Sequence, residues 1–171
     1  MSTTTPAGFR DAGVTAGLKA SGRPDVALVV NDGPDHHAAA VFTSNRVEAA
    51  PVTWSRIVVG DGRVDAVVLN SGGANACTGP QGFADTHRTA ELVADALGIA
   101  SGDLAVCSTG LIGELLPMDK IESAVPQLVS AVTPDGGEDA ARAIMTTDTV
   151  PKQAVVQRAS WSVGGMAKGA G

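Results

Sequence analysis

The sequence predicts an α+β (mixed α/β) fold, and three observations carry that prediction. Up to Asn70 the apolar runs are short, rich in β-branched residues and broken by Asp-Gly turns, as strands are. After Asn70, apolar residues at helical spacing alternate with further short runs. No internal repeat or low-complexity tract interrupts that order, which is the order of a mixed domain. With 171 residues, 44% of them hydrophobic, the chain can form one sizeable core. Residues 25–171 therefore read as a single domain, preceded by a loose, polar, Gly-rich lead-in over residues 1–24.

Asp25 to Asn31 reads as a buried strand, and Asp32-Gly33-Pro34-Asp35 as a turn. Ala38 to Thr43 reads as a second strand, making a hairpin with the first. Ile57-Val58-Val59 reads as a third, and Asp61-Gly62 turns it into a fourth, Val64 to Asn70. Asn70 to Pro80 is a long loop of small residues. Phe83 to Leu97 then places Ala90, Val93, Ala94 and Leu97 on one helical face, with Gly98 as the stop. Leu104 to Ser108 is a buried strand that ends in Thr109-Gly110. Pro117 to Val132 is a helix with Asp119 and Glu122 near its start, where the helix dipole favours acids, and with Pro126 as a bend or break. Glu138 to Met145 is a short helix, and Gln153–Gln157 with Ser160–Met166 form a last strand pair.

The totals exclude several function classes. A net charge of -6 argues against nucleic acid and anionic membrane as main partners. Aromatic residues make up 3% of the chain and Tyr is absent, so base-stacking platforms are not expected. Two cysteines, Cys77 and Cys107, make no disulfide framework and point to a reducing compartment. The first residues carry neither a basic nor an apolar leader pattern, and no apolar run approaches the ~20 residues of a membrane helix. A soluble, cytoplasmic protein is expected.

Candidate chemistry sits in small-residue segments. His36 and His37 are adjacent in a turn and His87 is on a helix; none has a metal-ligand spacing to Cys or carboxylates, so no metal is expected. Cys77 in its glycine-rich loop reads either as a nucleophile or as a small packing residue. The glycines do not form a phosphate loop, because no Gly-Lys-Ser/Thr follows at the required gap. Cys107-Ser108-Thr109-Gly110 lies at the carboxyl end of a buried strand. A hydroxyl beside a Gly N–H suits an oxyanion hole, and it equally suits an ordinary strand-to-loop turn. Met145-Thr146-Thr147-Asp148-Thr149 crowds hydroxyls and a carboxylate into one loop, as a helix cap or a polar ligand site would. Lys168 stands alone among small residues in Gly164 to Gly171, a stretch with the character of a frayed end or of a chain cut beside its own site.

Five segments in register make the pattern specific: Ala40 to Asn45 with Ala49-Ala50-Pro51-Val52, Asn70 to Gly79, Ser108 to Gly113, Met145 to Thr149 with Pro151-Lys152, and Gly165 to Gly171. In order and spacing they resemble the ornithine acetyltransferase (glutamate N-acetyltransferase) family of arginine biosynthesis, from about Phe9 onward. The resemblance implies a precursor that cleaves itself before a threonine, which becomes the N-terminal nucleophile of a β chain. This sequence then corresponds to the α chain, and the fold is of the self-cleaving N-terminal-nucleophile type, completed by that separate β chain. Two α and two β chains are implied, as are N-acetylornithine and glutamate as substrates. Matched by motif, Thr109 and Gly110 take the oxyanion-hole roles, and Thr146 and Lys168 the substrate contacts. No bound cofactor is implied, although some family members accept acetyl-CoA as donor. The chain departs from the family loop Asn-Ala-Gly-Asn-Ala-Asn at Ser71 and Gly73, so no Asn side chain is available at 73. An amidase or aminopeptidase of the same self-cleaving plan, with water as acceptor, is the rival enzyme; an amino-acid-binding module at Thr146 and Lys168 is the rival without chemistry.

Overall fold

A computed structural model describes residues 2–169. Strands β1 (Phe9–Val14), β2 (Val26–Asn31), β3 (Ala66–Gly73) and β4 (Leu104–Leu111) form one sheet in that order. β1–β2 and β2–β3 are antiparallel and β3–β4 is parallel. A parallel pair needs a long crossover, and helix α2 (Gly79–Leu97) lies within it.

The two-residue period of the strands decides what packs where. Val26, Leu28 and Val30 of β2, Ala66 and Val68 of β3, and Leu104 and Val106 of β4 share one cluster. Ala90, Val93 and Ala94 of α2 complete it, with Val125 and Leu128 of α3 (Met118–Ser130). The alternate residue Ala27 packs instead on Ala140, Ala143 and Ile144, at α4 (Gly137–Ala143) and just beyond it. Helices thus cover both faces of the sheet. Leu28, Leu104 and Leu128 are wholly buried, and truncating such a Leu to Ala costs about 2–5 kcal/mol. Gly13 marks how closely α4 sits on β1: a Cβ there would lie 2.1 Å from the Asp139 carbonyl oxygen.

Strands β5 (Lys152–Gln157) and β6 (Ser162–Ala167) pair antiparallel as a separate two-stranded sheet, with Lys152 opposite Ala167. Met166 anchors this hairpin on the Ala27–Ile144 cluster.

The α+β class holds, and several expected elements change. Residues 1–24 are not a loose lead-in, because β1 lies within them and fills the sheet edge beside β2. Ala38 to Thr43 is not a strand, so the expected hairpin with β2 does not form; β2 pairs with β1 and β3. Ile57 and Val58 are helical, in α1 (Ala50–Val58), which has a Pro in its first turn. Asp61-Gly62 closes a helical turn after α1 instead of a hairpin. Pro126 does not split α3, whose neighbouring residues Val125 and Leu128 are held in the core. β4 runs three residues further than expected, through Thr109, Gly110 and Leu111.

Candidate active site

β3 and β4 run parallel, so their carboxyl ends finish together. Ser71 pairs with Thr109 and Gly72 with Gly110, and the register slips at Gly72–Gly73. Such an irregularity re-aims the groups beside it. Gly110 has φ +137°, and a Cβ there would lie 2.4 Å from the Gly72 carbonyl carbon. Only glycine fits so close an approach. Behind this corner Ser108 Oγ donates to Asn70 Oδ1 at 2.5 Å, and Asn70 Nδ2 donates to the Gly73 carbonyl at 3.0 Å. The departure at 71 is structural: Ser71 Oγ donates to the Ala143 carbonyl at 2.5 Å, tying β3 to the end of α4.

Lys168, just past β6, reaches across to this corner, and its Nζ donates to Thr109 Oγ1 at 2.7 Å. A hydroxyl offers one donor and two acceptor sites, whereas an ammonium offers three donors. With the ammonium on an acceptor site, the Thr109 O–H is left to donate, and a fixed positive charge lies beside any negative oxygen it meets. Among the described residues Thr109 is the one hydrogen-bond partner of the Lys168 ammonium, which has three donors to give.

Thr109, Gly110, Thr146 and Lys168 all line one open cleft of about 570 Å³. The four residues come from three separate parts of the chain, and the fold brings them together. Another part of the wall was missed by the sequence reading: Leu18 to Ser21 and Arg23 also line the cleft, inside the stretch expected to be loose. Asp25 orders that wall. Its buried carboxylate accepts the backbone N–H groups of Ala16 at 2.7 Å, Leu18 at 2.6 Å and Lys19 at 3.0 Å. Lys19 Nζ turns inward to the Pro24 carbonyl at 2.7 Å, and burial, opposed by Asp25 and Asp148, pulls its pKa down. An Asp at the head of a strand, after a Gly-rich segment, was the available signal.

The remaining candidates lie elsewhere. Cys77 is exposed at a left-handed backbone position, φ +59°. His36 Nδ1 is 2.9 Å from Asp65 Oδ1, and the His87 ring lies 4.9 Å from that of Trp54. Among the described residues no group of three or more His, Cys, Asp or Glu is placed to hold a metal ion.

With this geometry in hand, comparison with known proteins gives consistent matches. The model of the ArgJ family matches residues 10–171. The arginine biosynthesis bifunctional protein ArgJ of Streptomyces coelicolor is 64% identical over 171 residues, which is 100% of this chain and 45% of that protein. Its namesake from Mycobacterium leprae is 61% identical over 176 residues, covering 98% of this chain and 43% of that protein. The chain therefore spans a little under half the length of these curated relatives. Among solved structures, ornithine acetyltransferase from Mycobacterium tuberculosis, complexed with ornithine, aligns with TM-score 0.98 and 59% identity over 99% of this chain and 92% of that one. Arginine biosynthesis bifunctional protein argJ from Bacillus halodurans aligns with TM-score 0.91 and 37% identity over 100% of this chain and 91% of that one.

Proposed function

The chain belongs to the ArgJ family, and from that premise we propose that it is the α-chain half of a self-cleaving enzyme that moves the acetyl group of N-acetylornithine to glutamate. The nucleophile in this reading is the N-terminal threonine of a β chain cut from the same precursor, activated by its own α-amine. Its hydroxyl attacks the acetyl carbonyl, and the Thr109 hydroxyl and Gly110 N–H receive the oxygen as it becomes negative. Ornithine leaves with a proton on its amine. The glutamate amine then attacks the acetyl-enzyme through the same corner, and the threonine is restored. Thr146 and Lys168 hold the substrate α-carboxylate, where Lys supplies a compact positive charge.

One observation carries this reading above the others: the 2.7 Å contact from Lys168 Nζ to Thr109 Oγ1, between two residues that line the cleft. It joins the charge that would hold a carboxylate to the hydroxyl that would hold an oxyanion. The solved relative complexed with ornithine supports a small amino-acid substrate here as well. We extend the proposal to an assembly of two α and two β chains, to acetyl-CoA as a second acetyl donor, and to the cytoplasm. The free cysteines Cys77 and Cys107 support a reducing compartment, and no helix among the described residues is long and apolar enough to cross a membrane.

Intact mass and N-terminal sequencing of the protein expressed from its full reading frame test the proposal, together with an assay for acetyl transfer. Two chains, the second starting with threonine, and glutamate-dependent release of ornithine are the expected results. Acetate release without acetylated glutamate would replace it with the amidase reading, and a single chain without turnover would leave only amino-acid binding.

A further inference from the structure

Thr146 and Lys168 lie on different segments, one after α4 and the other after β6, and something must hold them in register. The packing of Met166 and the pairing of β6 with β5 end at Ala167, one residue short of Lys168. Its side chain is exposed, and its neighbour Gly169 sits at φ +137° with no atom near its missing Cβ. The buried carboxylate of Asp148 joins the two segments. Its Oδ2 accepts the Thr146 N–H at 3.0 Å, and its Oδ1 accepts the Gly169 N–H at 2.7 Å. Lys152 Nζ donates to the same Oδ1 and, at 2.5 Å, to the Gly169 carbonyl. One ion pair therefore grips both backbone polar groups of the residue that follows Lys168.

The Asp148 side chain is 0% exposed and that of Lys152 41%. Neither residue lines the cleft, so neither meets the substrate there. Hydrogen bonds to an ionised acceptor are roughly twice as strong as neutral ones, and this carboxylate collects three donors. The Lys152 ammonium first, and then the Thr146 and Gly169 N–H groups, hold the Asp148 carboxyl far below the usual carboxylate range.

We infer that Asp148, together with Lys152, is a positioning residue: it sets the Thr146 loop against the Lys168 end of β6, so that both reach the same amino-acid carboxylate. The inference rests on the acetyl-transfer reading above and deepens it. Thr146 and Lys168 are the contacts, and Asp148 acts through them.

The experiment uses the two-chain protein produced from the full reading frame, with kcat and KM measured for N-acetylornithine and for glutamate. Asp148→Asn is expected to raise both KM values by about tenfold, the size of one lost charge-assisted hydrogen bond. Its kcat should stay within about threefold, as for a group that acts on binding and not on the transition state alone. In a Lys168→Ala background the same change should cost much less, because the group it positions is gone. Unchanged KM values, or losses that add in full to those of Lys168→Ala, would overturn the inference. If Asp148→Asn fails to fold or to cleave itself, Lys152→Met carries the test. It keeps the carboxylate and its backbone bonds, and a smaller rise in both KM values, about two- to fivefold, is expected; no rise overturns the inference. A wild-type protein without glutamate-dependent transfer would count against the proposed function alone. Ornithine titrated calorimetrically would then read the inference, with about tenfold weaker binding expected in Asp148→Asn and equal binding overturning it.

Discussion

At Thr109 a hydroxyl accepts from Lys168 and keeps its own proton to give. Thr109→Ala removes that donor and leaves Gly110 as the remaining half of the corner. On the proposed acetyl transfer, turnover is expected to fall about 10²- to 10³-fold with KM little changed, the cost of one oxyanion donor. Steady-state kinetics on the processed enzyme check this, and unchanged rates and processing would remove Thr109 from the mechanism. Two buried carboxylates respond to acid in opposite directions. The pKa of Asp148 is lowered, so its contribution to stability is complete above the ordinary aspartate value of ~3.9 and is lost as pH falls toward its lower folded value. The pKa of Asp11 is raised, because burial outweighs the hydrogen bond from Thr3. Its charged form therefore costs stability at neutral pH, and the cost is relieved as pH falls through the raised value toward ~3.9. Thr3 Oγ1 supplies the one side-chain hydrogen bond found on Asp11 among the described residues. Thr3→Val should therefore lower stability at pH 7 by about 1.5–3 kcal/mol, and thermal melts should show the gap closing as pH approaches ~4. A gap independent of pH would mean that lost packing, not the charge, is responsible.

Among the elements, α1 departs furthest from its sequence. Ile57-Val58-Val59 has the composition of a strand, yet Ile57 and Val58 are helical because α1 docks on the open edge of β4. Trp54 Nε1 donates to the Leu104 carbonyl at 3.0 Å. Ser55 Oγ donates to the Val106 carbonyl at 2.7 Å and accepts the Val106 N–H at 2.9 Å. Side chains of the helix thus satisfy the strand edge that would otherwise be left unpaired. Two effects compete in Ser55→Ala. Helix propensity alone favours Ala by up to about 0.7 kcal/mol, whereas unpairing two buried backbone groups costs about 1–3 kcal/mol. The second is larger, so denaturant unfolding is expected to show a net loss, and a gain would mean that the edge is not held by Ser55. Elements with a strong local signature were legible throughout: α2 with its apolar face and Gly98 stop, the β2 run, and the β5–β6 pair. β1 was not, because Phe9 to Val14 mixes Arg, Asp and Gly with apolar residues, and its order comes from pairing with β2 and from α4 lying on Gly13.

For the whole molecule, the β5–β6 hairpin is a two-stranded sheet whose outer edges pair with no other strand among the described residues. Its cross-strand partners Val156 and Val163 are 42% and 58% exposed, and Trp161 is 53% exposed. A two-stranded ribbon is marginal alone, and open edges with apolar side chains template association. The chain produced by itself is expected to self-associate in light scattering, and on the proposed two-chain reading a defined assembly should form when the β chain is supplied. A stable monomer would favour the binding-module reading.

By itself the sequence determined the α+β class, the acidic charge balance and the buried runs of β2 and β4, and, through motifs that resemble a known family, four candidate residues, Thr109, Gly110, Thr146 and Lys168. These follow from composition, period and motif, which are local. Only the tertiary structure decided that the four meet in one cleft, that Leu18 to Ser21 and Arg23 form part of its wall, and that Asp148 ties two of them together. The physical reason is sequence distance. Lys168 lies 59 residues from Thr109 and Gly169 lies 21 from Asp148, and a hydrogen bond across such a span is set by how strands and helices pack, which no local pattern encodes.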